Sequence, residues 1–409
     1  MSATPTDPQE SRPPRIAILG AGPVGLDAAL AALEGGFPVR VYEAHSAPAG
    51  NVRSWGHVEL FTPWAMNVSE RMRRRLESRR RVDRDPDGHH TGHEYADGIL
   101  DPLWDLPELR DGLHLGTRVV AVGREGTLKH EEIGTPERGR RPFRILVQGP
   151  DGRERVERAD VVLDCTGKFG HPNTLGDGGI PAPGERSLEE RIRRGIPDFA
   201  RDRGEWKGKT VLLAGAGHSA QTAVRELAEL GAASGTRVLW LLRKDDPSLG
   251  AVPDDPLPLR RTLTQDARSL AAGASPVVEA LPGQVVEALE AENGRTRVRV
   301  RSGEGGPRSD DLLVDRILSL TGGVGDHHLY RQLQVHECYA TSGPMKLAAA
   351  LLGSASQDCL DQESHGADTL ANPEPGFFIL GDKSYGRNNT FLLRTGFQQV
   401  DEVFGGLIP

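Results

Sequence analysis

Residues 15–44, RIAILGAGPVGLDAALAALEGGFPVRVYEA, run as a short apolar stretch, a glycine turn, a stretch with Ala and Leu at helical spacing, and a second apolar stretch ending at Glu43. That order predicts strand, helix, strand: one βαβ unit. The pattern returns at 209–244 as KTVLLAGAGHSAQTAVRELAELGAASGTRVLWLLRK. Between the two units, TGHEYADGILDPLWDLPEL (91–109) offers Thr91 as a cap and Ile99, Leu100, Leu103 and Leu106 at helical spacing, which predicts a helix feeding the strand-like LHLGTRVVAVGRE (113–125). PFRILVQGPDGRERVERADVVLDCTG (142–167) predicts strands around a PDG turn. A Gly/Pro-rich segment at 170–184 predicts a first linker and SLTGGVGD (319–326) a second break, after which GFFILGD (376–382) is another strand. The chain leaves its first domain, builds a second and returns.

Composition narrows the class without changing this picture. With 409 residues, 37% apolar and 26% charged, the chain fits a globular protein of two or three domains of roughly 100–200 residues each. A net charge of −8 provides no global positive field for nucleic acid or anionic lipid, so small-molecule partners are expected. Residues 1–13 predict a disordered tail, since the polar, Pro-rich start has no signal-peptide h-region. No apolar run approaches the roughly 18 residues of a membrane span. Three cysteines, at 165, 338 and 359, are too few for a secreted disulfide framework, and together these features predict a cytoplasmic protein. The seven arginines between Arg71 and Arg81 read as a solvated helix face offset by Glu70, Glu77, Asp83 and Asp85.

Gly20, Gly22 and Gly25 form GxGxxG directly after a predicted strand and at the start of a predicted helix, the context in which the motif signals a dinucleotide. Gly20 allows the tight turn, Gly22 lets a pyrophosphate approach the backbone, and Gly25 lets helix and strand pack closely. Pro23 and Val24 complete the loop, and N–H groups at the helix start face the phosphates. Glu43 stands 23 residues after Gly20, where a carboxylate accepts both ribose hydroxyls of an adenosine and repels a 2′-phosphate. FAD or NAD fits there and NADP does not. In the second unit Gly215, Gly217 and Ala220 take the corresponding positions, His218 and Ser219 stand at the helix start, and the second strand ends in Arg243 and Lys244. A guanidinium there pairs with a 2′-phosphate through charge-assisted hydrogen bonds, which predicts NADPH over NADH. Ser219 fits a simple helix cap, and His218 an exposed turn residue, equally well.

Together with DCTGKFGHPN (164–173) and FFILGD (377–382), these parts resemble, over roughly residues 14–405, the two-dinucleotide-binding-domain flavoproteins. That family includes class B flavin monooxygenases and thioredoxin reductases. The resemblance implies an α/β fold with two Rossmann-like, glutathione-reductase-like domains: a discontinuous FAD domain, 14–184 with 321–409, and an NADPH domain, 185–320. It implies FAD at Gly20, Gly22, Pro23, Val24, Gly25, Glu43, Val119, Thr166, Gly167, Gly381 and Asp382, with the Asp382 carboxylate on the ribityl chain. It implies NADPH at Gly215, Gly217, His218, Ser219, Ala220 and Arg243, and no metal. The helix expected from TFLLRTGFQQVDEVFGGL (390–407), capped by Asn388 or Asn389, would turn its positive end toward the flavin. More narrowly, SWGHVELFTPW (54–64) and GDKSYGRNNTFLLRTGF (381–397) are similar to a bacterial subgroup of FAD-dependent, monooxygenase-like proteins. Trp55, His57, Phe61 and Trp64 fit either an aromatic wall beside the isoalloxazine ring or ordinary loop packing.

A disulfide reductase of this family needs a CxxC dithiol, and the sequence holds none. Cys338 and Cys359 could pair only if folding brings their Cα atoms within about 7 Å, and Cys165 reads as a buried, inert thiol. The expected reaction is therefore oxygenation of a small molecule by molecular oxygen through a flavin C4a-hydroperoxide, with NADPH as reductant and the cofactor carrying the hard chemistry. Lys383, Tyr385, Arg387 and Asn388 are the candidate catalytic residues because they follow Asp382. The family's oxygenases carry FxGxxxHxxxW, whereas Phe169, Gly170 and His171 are contiguous here. Two rivals stay open: an NADPH-dependent flavin reductase or dehydrogenase, and a non-catalytic FAD/NADPH redox sensor.

Overall fold

The computed structural model describes residues 12–79, 85–245, 248–302, 311–353, 360 and 364–406. The first βαβ unit is β1 (Ile16–Leu19), α1 (Pro23–Glu34) and β2 (Val39–Tyr42). Every residue of β1 is buried, as a parallel strand covered on both faces must be, which is why it reads as an unbroken apolar run. Helix α2 (Glu70–Glu77) precedes β3 (Leu113–His114), β4 (Arg118–Arg124), β5 (Phe143–Gln148), β6 (Glu154–Ala159) and β7 (Val161–Asp164). The second unit uses β8 (Ile192–Arg193), β9 (Thr210–Ala214), α3 (His218–Ser234), β10 (Arg237–Leu242), α4 (Pro258–Ala271) and β11 (Val278–Pro282). Strands β12 (Gln284–Glu292), β13 (Arg295–Ser302), β14 (Leu312–Val314) and β15 (Arg316–Ser319) follow, and the chain returns through β16 (Phe377–Ile379) to α5 (Leu393–Gly406).

Two five-stranded parallel sheets result, ordered β16-β7-β1-β2-β3 and β8-β15-β9-β10-β11, along with antiparallel three-stranded sheets β4-β5-β6 and β12-β13-β14. Although it comes last, β16 pairs with β7, Phe377 opposite Val162 and Ile379 opposite Asp164. The first sheet is thus assembled from two separated stretches of chain, the second from one. The two crossings between the sheets are tied to each other. Asn173 Nδ2 donates to the Thr321 carbonyl at 3.0 Å, Thr321 Oγ1 donates to the Asn173 carbonyl at 3.1 Å, and Pro172 bridges Gly323.

Polar clamps brace the first domain. On α1, Asp27 is wholly buried and accepts from the Ser69 hydroxyl and, at 2.6 Å, from Arg71, which also reaches Asp401 on α5 at 2.5 Å. Arg73, Arg74 and Arg75 pair with Glu70, Glu34 and Glu108, so the described part of the arginine run is mostly a solvated face with one buried clamp. Arg80, Arg81 and Asp83 lie outside the described residues. Buried Glu374, just before β16, accepts from Arg124 at 2.7 Å and Arg138 at 2.9 Å, joining the β4-β5-β6 sheet to the returning segment.

Three local expectations are revised. The helix from Thr91 begins with the capping box Thr91–Glu94 but passes through a π-helical turn at Ala96–Leu100 and ends at Trp104, before a separate turn opened by Pro107. LHLGTRVVAVGRE is two strands in different sheets, because Gly116 turns the chain at φ 59°. The last helix starts at Leu393 and not Thr390, since Asn388 Oδ1 accepts the Thr390 N–H at 2.9 Å and hydroxyl at 2.8 Å, closing a turn of its own. Among the described residues no helix is long and apolar enough to cross a membrane.

Candidate functional site

The turns that follow β1 and β9 open on one continuous cleft of about 2520 Å³, well above the roughly 300–1000 Å³ of a typical small-ligand pocket. In the first turn Gly20 has φ 97°, and a Cβ there would lie 2.8 Å from the Cys165 carbonyl oxygen. A Cβ on Gly25 would stand 2.0 Å from the Gly20 carbonyl oxygen, so strand and helix touch as the motif requires. A Cβ on Gly22 would meet nothing within 4 Å: its bare face opens on the cleft. No side chain caps α1, which leaves its first-turn N–H groups for an anion. Pro23, Val24 and Glu43 line the cleft. Buried Glu43 accepts from the Ala21 N–H at 2.8 Å, the His45 N–H at 2.8 Å and the His45 ring at 2.7 Å, which fixes the carboxylate at the cleft edge with acceptor capacity to spare.

The second turn repeats this backbone. Gly215 has φ 131°, a Cβ there would overlap the Leu320 carbonyl at 2.2 Å, and Gly217 opens on empty space. The helix start is again uncapped by any side chain, so Ser219 is not the cap; it lines the cleft, exposed. His218 is not an exposed turn residue. Its ring packs edge-on to Phe61 at 5.0 Å, and burial, with Arg260 nearby, lowers its pKa. Ala220 is buried behind the turn. Arg243 and Lys244 stand exposed on the cleft, and the Arg243 side chain has no hydrogen bond or ion pair among the described residues.

Between the turns the ends of β7 and β16 meet. Cys165, Thr166, Gly167, Lys168 and Phe169 follow β7, and Gly381 and Asp382 follow β16, all on the cleft. Lys168 Nζ lies 2.7 Å from Asp382 and donates to the carbonyls of Gly386 at 3.1 Å and Asn388 at 3.2 Å. Burial raises the Asp382 carboxyl above its ordinary range, against the attraction of the Lys168 ammonium. Buried Gln399 on α5 holds the turn, accepting the Gly381 N–H at 2.8 Å and donating to Ser384 at 2.9 Å. Tyr385, Arg387 and Asn388 line the cleft, and burial pushes the Tyr385 phenol up to about 12.

Two expected positions, Lys383 and Val119, fall elsewhere, and of the two readings open for Trp64 the structure takes loop packing. Lys383 is buried with its Nζ on Asp164 at 2.6 Å and the Asp326 carbonyl at 2.7 Å, so it braces the strand ends and does not face the cleft. Val119 lies on β4, packed against the core under the antiparallel sheet. Trp64 is buried and stacked on His90 at 3.6 Å, whereas Trp55, His57 and Phe61 do line the cleft. Of the cysteines, buried Cys165 lies on the cleft, its thiol pushed well above its ordinary pKa by burial. Cys338 is buried too, and Cys359 lies outside the described residues, so their pairing has no structural account. Lys168 lies outside the sequence-based site, its only signal there a lone charge inside a small-residue turn.

No family model and no curated protein matches the chain. Solved structures do. Bacillithiol disulfide reductase Bdr (YpdA) from Bacillus cereus superposes with a TM-score of 0.68 at 16% identity, over 97% of this chain and 99% of that one. DfoA, the FAD-bound cadaverine monooxygenase from Erwinia amylovora, gives 0.63 at 12% identity over 96% and 95%. The ornithine N-hydroxylase KtzI from Kutzneria sp. 744, with reduced FAD, NADP+ and L-ornithine, gives 0.62 at 15% identity over 97% and 99%. These are a disulfide reductase and amine-oxygenating enzymes alike, and what they share with this chain is the α/β fold with two Rossmann-like domains.

Proposed function

We propose that the chain is an FAD- and NADPH-dependent oxidoreductase and, within that class, a monooxygenase of a small molecule, with FAD on 14–184 and 321–409 and NADPH on 185–320. The observation that carries this reading is one cleft that holds both open glycine turns, with buried Glu43 beside the first and exposed Arg243 beside the second. Gly22 and the start of α1 would receive the FAD pyrophosphate, Glu43 the adenosine ribose, and Asp382, set by Lys168, the ribityl hydroxyls. Gly217 and the start of α3 would receive the second pyrophosphate, with Arg243 on the 2′-phosphate. When bound, FAD supplies hydride acceptance from NADPH and reaction with dioxygen. Trp55, His57 and Phe61 line the cleft and would shield it from water, and burial lowers the His57 pKa. Arg387 and Asn388 remain the polar groups placed to orient a substrate.

The oxygenase branch is favoured over dithiol chemistry by the cysteines. The sequence has no CxxC, and the one cysteine on the cleft among the described residues is held as a thiol by burial. The absorbance spectrum of the purified protein, before and after NADPH, tests the reading, followed by turnover in isotopically labelled dioxygen with small amines, sulfides and ketones. A flavin band bleached by NADPH and one labelled oxygen atom in the product are expected. Bleaching with no label in any product would point to a reductase, and a flavin band that NADPH leaves unchanged would point to a non-catalytic sensor.

A further inference from the structure

A carboxylate offers about four acceptor positions, two to each oxygen. On Glu43, just past β2, Oε1 accepts the His45 N–H at 2.8 Å and the His45 ring Nδ1 at 2.7 Å, and Oε2 accepts the Ala21 N–H at 2.8 Å. These are full-strength hydrogen-bond distances. The chain itself therefore fills three positions, both of those on Oε1 among them. The position left for a ligand is on Oε2, and Glu43 lines the cleft.

The ring contact is built in, although the His45 side chain is half exposed. Residues 43 and 45 are held through their backbones along 114–117. The Glu43 N–H donates to the His114 carbonyl at 3.0 Å, the Thr117 N–H to the Glu43 carbonyl at 2.7 Å, and the Gly116 N–H to the His45 carbonyl at 2.7 Å. The imidazole lies against bare Gly50, where a Cβ would stand 2.3 Å from its Cγ and 2.6 Å from its Nδ1. A side chain at that position would push the ring off Glu43. Because a carboxylate oxygen only accepts, Nδ1 carries the hydrogen of the ring contact.

The adenosine ribose of a dinucleotide presents two adjacent hydroxyls, and a carboxylate takes both when each has an acceptor position to itself. Glu43 has one such position. On the FAD assignment above, we propose that Glu43 accepts a single ribose hydroxyl, through Oε2, and that His45 is the positioning residue that imposes this limit by occupying Oε1. The first site then reads one hydroxyl of the pair and is indifferent to the other. Of the two donors on Oε1, the His45 backbone N–H stays in any replacement but proline, so the ring alone can be withdrawn to vacate a position.

Exchange on the flavin-loaded protein tests this limit. The full chain is equilibrated with FAD in competition with its 2′-deoxyadenosine or its 3′-deoxyadenosine analogue, and the bound share of each is read by chromatography. One analogue should compete within about twofold of FAD and the other about tenfold or more weaker, for the loss of one hydrogen bond to a charged group. In His45→Ala, with a position on Oε1 vacated, both analogues should fall behind FAD. His45→Asn, whose side-chain amide can donate from the place of Nδ1, should restore the single-hydroxyl pattern. A ring that only packed would alter flavin retention and leave the ratio between the analogues untouched. Equal weakening of both analogues in the wild type, weakening of neither, or a folded His45→Ala protein that keeps the wild-type ratio would overturn the proposal. Thermal melting reads folding, and the wild-type comparison decides if His45→Ala does not fold. A chain that takes up no flavin would sink the FAD assignment itself, whereas a flavin-loaded chain that reads both hydroxyls equally would sink this limit alone.

Discussion

The two glycine turns present the same backbone to the cleft and differ in what stands behind it. Behind the first, Gly25 presses on the Gly20 carbonyl so closely that a methyl would sit 2.0 Å away. Behind the second, Ala220 is accommodated, its Cβ 3.4 Å from where a Gly215 Cβ would be, and the Gly215 carbonyl accepts the Trp240 indole N–H at 2.8 Å. The third small residue of the motif is thus set by the distance between strand and helix, while Gly22 and Gly217 each face open space. The strand ends differ as well: Glu43 is buried and tied down by three donors, whereas Arg243 is exposed and has no hydrogen bond or ion pair among the described residues. On the proposed reading the first site is built in advance, and the second meets its ligand with an exposed cation.

Methyl groups at the two equivalent positions test this contrast most severely. Gly25→Ala forces α1 away from β1 and should cost at least about 3 kcal/mol and the retained flavin. Ala220→Gly should cost about 1 kcal/mol, the helix-propensity difference, with the second site intact. Melting curves and flavin content per chain measure both. A Gly25→Ala protein that keeps its flavin and melts with the wild type would erase the steric difference between the turns.

The exposed cation offers the next test. Arg243→Ala should raise the KM for NADPH about tenfold to a hundredfold through loss of charge-assisted hydrogen bonds, with NADH little affected. Steady-state kinetics with both nucleotides checks this, and equal losses would mean that Arg243 does not read the 2′-phosphate. A shallower salt dependence for NADPH in the variant would sharpen the picture of an exposed, screened contact.

The parts of this molecule that were legible in sequence are those where chemistry is local. Strand, turn, helix and strand in both units, the return of β16 and the positions of Glu43 and Arg243 follow from apolar periodicity and glycine spacing within some thirty residues. Less could be read where a side chain's role depends on its distant neighbours. Lys383 sits two residues from Gly381 on the cleft, yet its ammonium turns inward to Asp164, a partner 219 residues away. Trp64, which its loop offers equally to an aromatic wall and to ordinary packing, is claimed by His90 and Tyr95. Lys168 gained meaning only once β7 met β16 and its ammonium reached Asp382. It is a lone charge in its own stretch of sequence, with no spacing to flag it.

The smallest expected effect concerns the buried polar residue that each glycine-turn helix carries. On α3 it is an amide: Gln221 donates to the carbonyls of Ala216 at 3.1 Å and Leu249 at 2.8 Å. On α1 it is a carboxyl: burial pushes Asp27 up to about 6, against the lowering pull of Arg71 and the Ser69 hydroxyl. A carboxyl whose folded pKa is raised holds its proton more tightly when folded. The stability it contributes is therefore greatest below the unfolded value near 4 and is lost as pH climbs to about 6. Asp27→Asn removes that titration and makes α1 resemble α3 in bearing a neutral group. Denaturant unfolding of wild type and variant from pH 4 to 7 should show the wild type losing about 1–2 kcal/mol relative to the variant across that window. A difference that stays constant with pH would mean that Asp27 titrates alike in the folded and unfolded chain, and that the ionic clamp to Arg71 fully offsets the burial that separates this helix from its counterpart.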